Sequence, residues 1–284
     1  MKILSIQSSV AYGHVGNSAA VFPLQRLGHE VWPVSTVHFS NHTGYGAWRG
    51  PLLSPEDVAA VITGIAERGV LPSCDAVLSG YQGGAGIAEV ILSAVAQVKA
   101  ANPAATYTCD PVMGNATSGC FVDPAIPPII RELVVPQADL ITPNQFELGF
   151  LTDTSPTSLS DTLDSADLAR QMGPSTVLVT SVFDGDAQTS DTIGMLAVTG
   201  DGAWLVETPR LAMKANGSGD ITAAMFTAHL HETGSPADAL ARTASSVFAV
   251  LQATLESGER ELRLVAAQDA IAHPASEFEV RQVR

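Results

Sequence analysis

Lysine is scarce in this chain: Lys2, Lys99 and Lys214 are the only three among 284 residues. No Gly-x-x-x-x-Gly-Lys-Ser/Thr string occurs, so a P-loop is excluded. Basic residues number 14 against 29 acidic ones, and the net charge of −15 argues against nucleic acid or an anionic membrane surface as a partner. Long apolar runs are missing as well. None reaches the roughly 18 residues of a membrane span, and the run from Met1 to Ile6 is too short for a signal peptide. Three scattered cysteines, Cys74, Cys109 and Cys120, give neither a disulfide framework nor a zinc pattern, so a reducing, cytoplasmic setting is expected. There is no internal repeat, no low-complexity tract and no long linker, which predicts one domain over 1–284. A nucleotide bound by such a chain must find its positive field in backbone amides, a metal ion and Lys214.

What is present is an alternation of strands and helices. Hydrophobic residues make up 46%, enough for a sizeable core. Strands are predicted at Ile3–Ile6, Val31–Val37, Asp75–Ser79, Thr106–Cys109, Asp139–Thr142 and Thr176–Thr180, with a hairpin around Thr199-Gly200-Asp201-Gly202. Helices are expected from an Asn17 N-cap to Gly28, from Ser54-Pro55-Glu56-Asp57 to Gly69, up to about Ala101 and about Val134, and from Asn144 through Leu151. Thr152 to Asp164 reads as an exposed connection, followed by a helix to Gly173. Three further helices are predicted at about 219–233, 236–255 and 258–272. Val112 to Asp123, irregular and glycine-containing, reads as a mobile flap. Alternation of this kind means βαβ units and a mostly parallel sheet, an α/β fold.

Polar and glycine residues gather just after these strands: Ser8, Thr43, Gly80-Tyr81, Asp110, Asn144 to Glu147, and Thr180-Ser181. Ligands of open α/β sheets bind outside the carboxyl ends of the strands, so these loops are expected to share one edge. The stretch Asn216-Gly217-Ser218-Gly219-Asp220 then opens directly onto an apolar segment rich in helix formers. Two glycines allow close backbone approach, and a helix N-terminus offers unpaired N–H groups to an anion. The competing reading is a plain helix start capped by Ser218 or Asp220.

Six stretches carry a resemblance. They are Ile6-Gln7-Ser8 with Tyr12-Gly13-His14-Val15-Gly16-Asn17, then Phe39-Ser40-Asn41-His42-Thr43, then Leu78-Ser79-Gly80-Tyr81. Further along come Cys109-Asp110-Pro111-Val112-Met113-Gly114, Thr142-Pro143-Asn144 with Glu147, and Asn216 to Asp220. In this order the chain resembles pyridoxal kinases of the ribokinase-like superfamily along nearly its whole length. The resemblance implies a three-layer α/β/α sandwich around a mostly parallel central sheet, in a kinase that phosphorylates the 5′-hydroxyl of pyridoxal with ATP to give pyridoxal 5′-phosphate in vitamin B6 salvage.

Residue by residue, the resemblance makes Asp220 the proton acceptor and the amides of Gly217, Ser218 and Gly219 an anion hole. It puts Ser8, Phe39, Thr43, Gly44, Tyr81 and Asp220 around the vitamin. Asp110, Thr142, Glu147, Thr180, Ser181, Thr208, Pro209, Arg210 and Leu211 fall on the nucleotide. Asp110 and Glu147 would meet Mg2+ directly or through water; their plainer readings are a turn cap and a first-turn helix acid. Some relatives carry Lys-His where this chain has Thr180-Ser181, and the stretch before Gly217 is a few residues shorter than in some. A homodimer and activation by K+ are also implied. Three further expectations follow from the residues: a lowered pKa for Asp220 at a helix N-terminus, phosphate contact by Lys214 or its plain exposure, and reversible addition of Cys120 to the aldehyde or its inertness. The alternatives to a pyridoxal kinase are another small-molecule kinase of this fold, for a hydroxymethylpyrimidine or a sugar, and a non-catalytic vitamin B6 carrier.

Overall fold

The structure, a computed structural model, describes residues 1–185, 189–275 and 277–284. Its centre is a nine-stranded sheet in the order β11-β10-β9-β8-β7-β4-β3-β1-β2. The strands are β1 (Lys2–Val10), β2 (Glu30–Phe39), β3 (Ala76–Ser79), β4 (Thr106–Cys109), β7 (Leu140–Ile141), β8 (Thr176–Val182), β9 (Thr192–Val198), β10 (Ala203–Pro209) and β11 (Val280–Gln282). From β2 across to β8 every pairing is parallel; β9, β10 and β11 add on antiparallel. The continuous apolar character of β3 and of Thr176–Val179 is that of strands covered on both faces.

Helices supply the cover. On one face α1 (Asn17–Arg26), α7 (Ser218–Thr233), α8 (Pro236–Ser257) and α9 (Gln268–Ala272) pack on one another. On the other, α2 (Pro55–Ala66), α3 (Ile87–Ala101), α5 (Gln145–Thr152) and α6 (Leu159–Gln171) enclose the larger core cluster. Helix α7 is buried continuously from Ile221 to His229. It is apolar nearly all round, as a helix pressed between sheet and neighbours must be. The expected α/β/α sandwich with a mostly parallel sheet is therefore the architecture present.

Local chemistry set most boundaries as predicted. Ser54 Oγ accepts the N–H of Asp57 at 3.1 Å, with Pro55 leading α2. Several expectations fail, each for a physical reason. Asn17 does not cap α1; buried, it donates Nδ2 to the carbonyls of Gln7 and Val34 and so ties β1 to β2. The connection after Thr152 turns helical at Leu159, where Ser158 and Asp161 form a capping box. The short α4 (Ile126–Ile129) passes into a π-helical turn, Ile130–Val134, after Pro127 and Pro128 remove two backbone donors. The helix expected over 258–272 shrinks to Gln268–Ala272. Gly258 terminates α8 in the left-handed region, and the chain runs irregularly through buried Glu261, Leu262 and Leu264 into a turn before Gln268. Strand β11 was not anticipated. The flap contains a small hairpin, β5 (Gly114–Asn115) with β6 (Gly119–Cys120).

Candidate active site

After β1 the chain steps to β2 on one side and then to β3 on the other, so the sheet order reverses at β1. That switch point opens a crevice at the carboxyl ends of the strands. Two cavities occupy this edge, of about 320 Å3 and about 300 Å3. They share Val112, Asn115, Phe121, Asn216, Gly217 and Asp220.

The smaller cavity lies over β1 and β3. Ser8, Phe39, Thr43, Gly44, Tyr81 and Asp220, which the resemblance groups together, all line it. The register shifts between Gln7 and Ser9, so that Thr36 and Val37 of β2 together oppose Ser8, a bulge beside the site. Gly16 adopts a φ of 54°, and a Cβ there would collide with the Ser8 carbonyl. Its N–H faces the Asp220 carboxylate and favours that group's charge. Burial pushes the Tyr81 hydroxyl above its ordinary value. His42, Val10, Val15 and Val37 also line this cavity and were not singled out from the sequence; His42 was visible within its motif. Lys214 lines this cavity rather than the larger one.

The larger cavity follows the ends of β4, β7 and β8. Asp110, Thr142, Glu147, Thr180, Ser181 and Thr208 line it, together with Gly217, Ser218 and Gly219. Pro209, Arg210 and Leu211 do not; Arg210 lies over the Phe183 ring at 5.5 Å. Residues 180–181 interrupt the β8–β9 register, and Ser181 has a φ of 53°, so a second bulge presents this pair. Val247, Phe248, Leu251 and Met195 add an apolar wall that the sequence did not reveal, because α8 and β9 supply it from far along the chain.

Three carboxylates meet here, and no Lys, Arg or His among the described residues lines the larger cavity. Asp110 is buried and accepts the Thr142 hydroxyl at 3.0 Å. Burial first, then the charges of Glu147 and Asp220, push its carboxyl well up. Burial likewise drives Glu147 up to about 7, against the N–H groups of Met113, Asn144 and Gly114 that it accepts. Glu147 is indeed a first-turn helix acid, in a capping box with Asn144, and it is also a wall of the cavity. Burial raises Asp220 too. The lowering expected from its helix N-terminus does not prevail, because loss of water outweighs the Gly16 N–H and the nearby His42.

Helix α7 begins without a side-chain cap. Its N-cap is Gly217, left-handed at φ 87°, while Ser218 Oγ is spent on the Ala215 carbonyl at 2.9 Å. The first-turn N–H groups are thus left to a ligand, as in helix N-termini that bind phosphate. Asp220, only partly buried, stands where the two cavities join. Cys120 is exposed and lines neither cavity, whereas the adjacent Phe121 lines both, so the structure does not bring the thiol to either. No group of three His, Cys, Asp or Glu side chains able to hold a metal unaided occurs among the described residues. Nor is any helix among them long and apolar enough to cross a membrane.

Known proteins match this arrangement. The family described as phosphomethylpyrimidine kinase matches residues 73–264. "Pyridoxal kinase PdxY" of Leifsonia xyli is 68% identical over 283 residues, covering 100% of both chains. Its counterpart in Corynebacterium diphtheriae is 58% identical, again over 100% of both. The solved pyridoxal kinase from Leishmania donovani, in complex with ADP and pyridoxamine, superposes with a TM-score of 0.93 at 29% identity, covering 100% of this chain and 99% of its own. A putative phosphomethylpyrimidine kinase from Bacteroides thetaiotaomicron superposes at 0.89 with 23% identity, a likeness of fold alone. With relatives this similar aligned from end to end, the chain belongs to the pyridoxal kinase family and has its ribokinase-like fold.

Proposed function

We infer that the chain is an ATP-dependent pyridoxal kinase, transferring the γ-phosphoryl group to the 5′-hydroxyl of pyridoxal. The observation that carries this is Asp220 at the junction of two cavities, with the uncapped start of α7 on the side of the larger one. The smaller cavity takes the vitamin: Ser8 and Thr43 offer hydroxyls to the ring's polar edge, and Phe39 and Tyr81 offer aromatic faces. The larger takes the nucleotide, with Val247, Phe248 and Leu251 as an apolar wall for the base and Thr180, Ser181 and Thr208 as polar contacts.

Phosphoryl transfer through a loose transition state asks mainly for positioning and charge stabilisation. Asp220 accepts the hydroxyl proton as the oxygen attacks. Burial makes it a stronger base than an ordinary carboxylate, which suits that task. The amides at 217–220 hold the charge on the transferring group. Hard oxygen donors in a site short of positive charge fit magnesium bound to nucleotide phosphates. Asp110 would hold the ion directly; Glu147, both of whose oxygens already accept N–H groups, would act through water. When bound, the ion supplies neutralisation of phosphate charge. Homodimer assembly, activation by K+ and a cytoplasmic setting belong to the same reading, on the strength of family resemblance, as does a single kinase domain over 1–284.

A hydroxymethylpyrimidine kinase is the second reading, favoured by the description of the matching family. Its match begins at residue 73 and leaves out Ser8 and residues 39–44, the walls that face the vitamin. Purified protein given ATP, magnesium and either pyridoxal or the hydroxymethylpyrimidine decides between them. Pyridoxal 5′-phosphate should form, and faster than the pyrimidine phosphate. Binding of pyridoxal without product would instead mark a carrier.

A further inference from the structure

Glu261 lies outside both cavities, in the segment that was expected to be helical. It is only 9% exposed, and donors from two distant loops converge on its carboxylate. Oε1 accepts His42 Nε2 at 3.0 Å and the Tyr45 hydroxyl at 2.7 Å, while Oε2 accepts the N–H of His14 at 3.1 Å. Arg260 donates to the Gly44 carbonyl at 2.6 Å and lays its guanidinium 3.7 Å over the Tyr45 ring. The turn at Gly13 closes so tightly on this carboxylate that a Cβ there would overlap Oε2.

A carboxylate only accepts, so His42 donates its Nε2–H to Oε1, and its Nδ1 is buried beside Gly44 with no hydrogen-bond partner among the described residues. Burial opposes the charge on Glu261, but the bonds from Tyr45, His14 and His42 outweigh it and hold the carboxyl below its ordinary value. The same bond, with burial added, pushes the Tyr45 hydroxyl up to about 12. The ion is therefore present at neutral pH, with acceptor capacity on both oxygens.

We propose that Arg260-Glu261 is a positioning clasp for the vitamin-side wall. It fixes Thr43-Gly44 between two held neighbours, His42 and Tyr45. It also fixes the His14–Gly16 turn, whose Gly16 N–H meets Asp220 and whose His14 carbonyl abuts Gly217. The proposal rests on the smaller cavity being the vitamin site. A clasp of this kind acts on vitamin placement more than on the nucleotide, because His42, Thr43 and Gly44 line the smaller cavity and none of them lines the larger.

The test is Glu261→Gln, with Tyr45→Phe and Arg260→Ala beside it. Glutamine keeps the shape but has one acceptor oxygen; facing His14 with it, the side chain can meet His42 only by donating, which takes the proton off Nε2. The expected result is a rise of about tenfold in KM for pyridoxal, with KM for ATP changed less than about twofold and the melting temperature largely kept. The 15N spectrum of the His42 ring should report the loss of the proton from Nε2. Tyr45→Phe and Arg260→Ala should move the pyridoxal KM in the same direction by less. Unchanged pyridoxal KM in all three, or equal changes for both substrates, overturns the clasp. Should Glu261→Gln not fold, the other two variants decide by the same split. If the wild type fails to phosphorylate pyridoxal, the functional reading falls. The clasp then stands or falls on pyridoxal binding and the proton on His42 Nε2.

Discussion

Asn144 and Glu147 cap one another: Asn144 Oδ1 accepts the N–H of Glu147 at 2.9 Å, and Glu147 Oε2 accepts the N–H of Asn144 at 3.0 Å. The remaining oxygen of Glu147 accepts the N–H groups of Met113 and Gly114 at 2.8 and 3.2 Å. One side chain thus secures both the start of α5 and the root of the flap that carries Asn115 and Phe121. Glu147→Ala removes a cap and strands buried N–H groups, a loss of about 2–4 kcal/mol. Chemical denaturation should show it, together with a raised KM for ATP. A variant as stable as the wild type would mean that the flap does not depend on this carboxylate.

The same residue makes stability depend on pH with a definite sign. Glu147 is pushed from its ordinary 4.5 to about 7, and Asp110 is raised beside it. Between these values the folded protein keeps a proton that the unfolded chain has released, so this contribution to stability is full below 4.5 and is lost as pH rises through 7. His29 and His229, held low by burial, act with the opposite sign over an overlapping range. The decisive quantity is therefore a difference. Ligand-free wild type minus Glu147→Gln, measured as unfolding free energy, should fall steadily from pH 4.5 to 7. A flat difference contradicts the assignment.

Asp220→Asn should lower kcat by about 10²–10⁴-fold, the usual worth of a positioned base, while ADP binding persists. The wild-type profile of kcat/KM carries its acid limb above the ordinary carboxylate range, since burial raises this group. Activity then falls as pH drops through that raised value, because the base must be ionised. Stopped assays for pyridoxal 5′-phosphate across pH measure both effects. Product formation undiminished in the variant would remove Asp220 from the reaction.

The site was readable from sequence wherever one residue type does one job at one place. Gly217 and Gly219 flank a helix start, Asp110 and Thr142 follow strands, and Ser8 lies near the end of β1, which runs four residues past the expected Ile6, so their convergence follows from the parallel order. What escaped depends on partners far along the chain. The bulges opposite Ser8 and at residues 180–181 exist only in the pairing of β1 with β2 and of β8 with β9. Asn17 looked like a cap because nothing local reveals that Gln7 and Val34 need its amide. The segment around Glu261 looked helical because its pull toward His42 and Tyr45 crosses more than 200 residues. The direction of the Asp220 shift failed likewise: the helix terminus is local, whereas the burial that overrides it is built by the whole sheet edge.

The two glycines of the α7 turn should respond oppositely to the same methyl group. Gly217 is left-handed, and a Cβ on it would overlap the His14 carbonyl and press to 3.1 Å from Leu262 Cδ1. Gly217→Ala therefore strains the backbone and displaces the turn, lowering stability by about 1–3 kcal/mol along with activity. Gly219 is already within α7 and lines the larger cavity, and a Cβ there meets nothing within 4 Å. Alanine there gains about 0.5–1 kcal/mol of helix preference over glycine while standing where the phosphates must approach the amides. Gly219→Ala should melt no lower than the wild type yet show a sharply raised KM for ATP and reduced kcat. Normal kinetics in that variant would mean that the open space at the start of α7 is not where the nucleotide's phosphates bind.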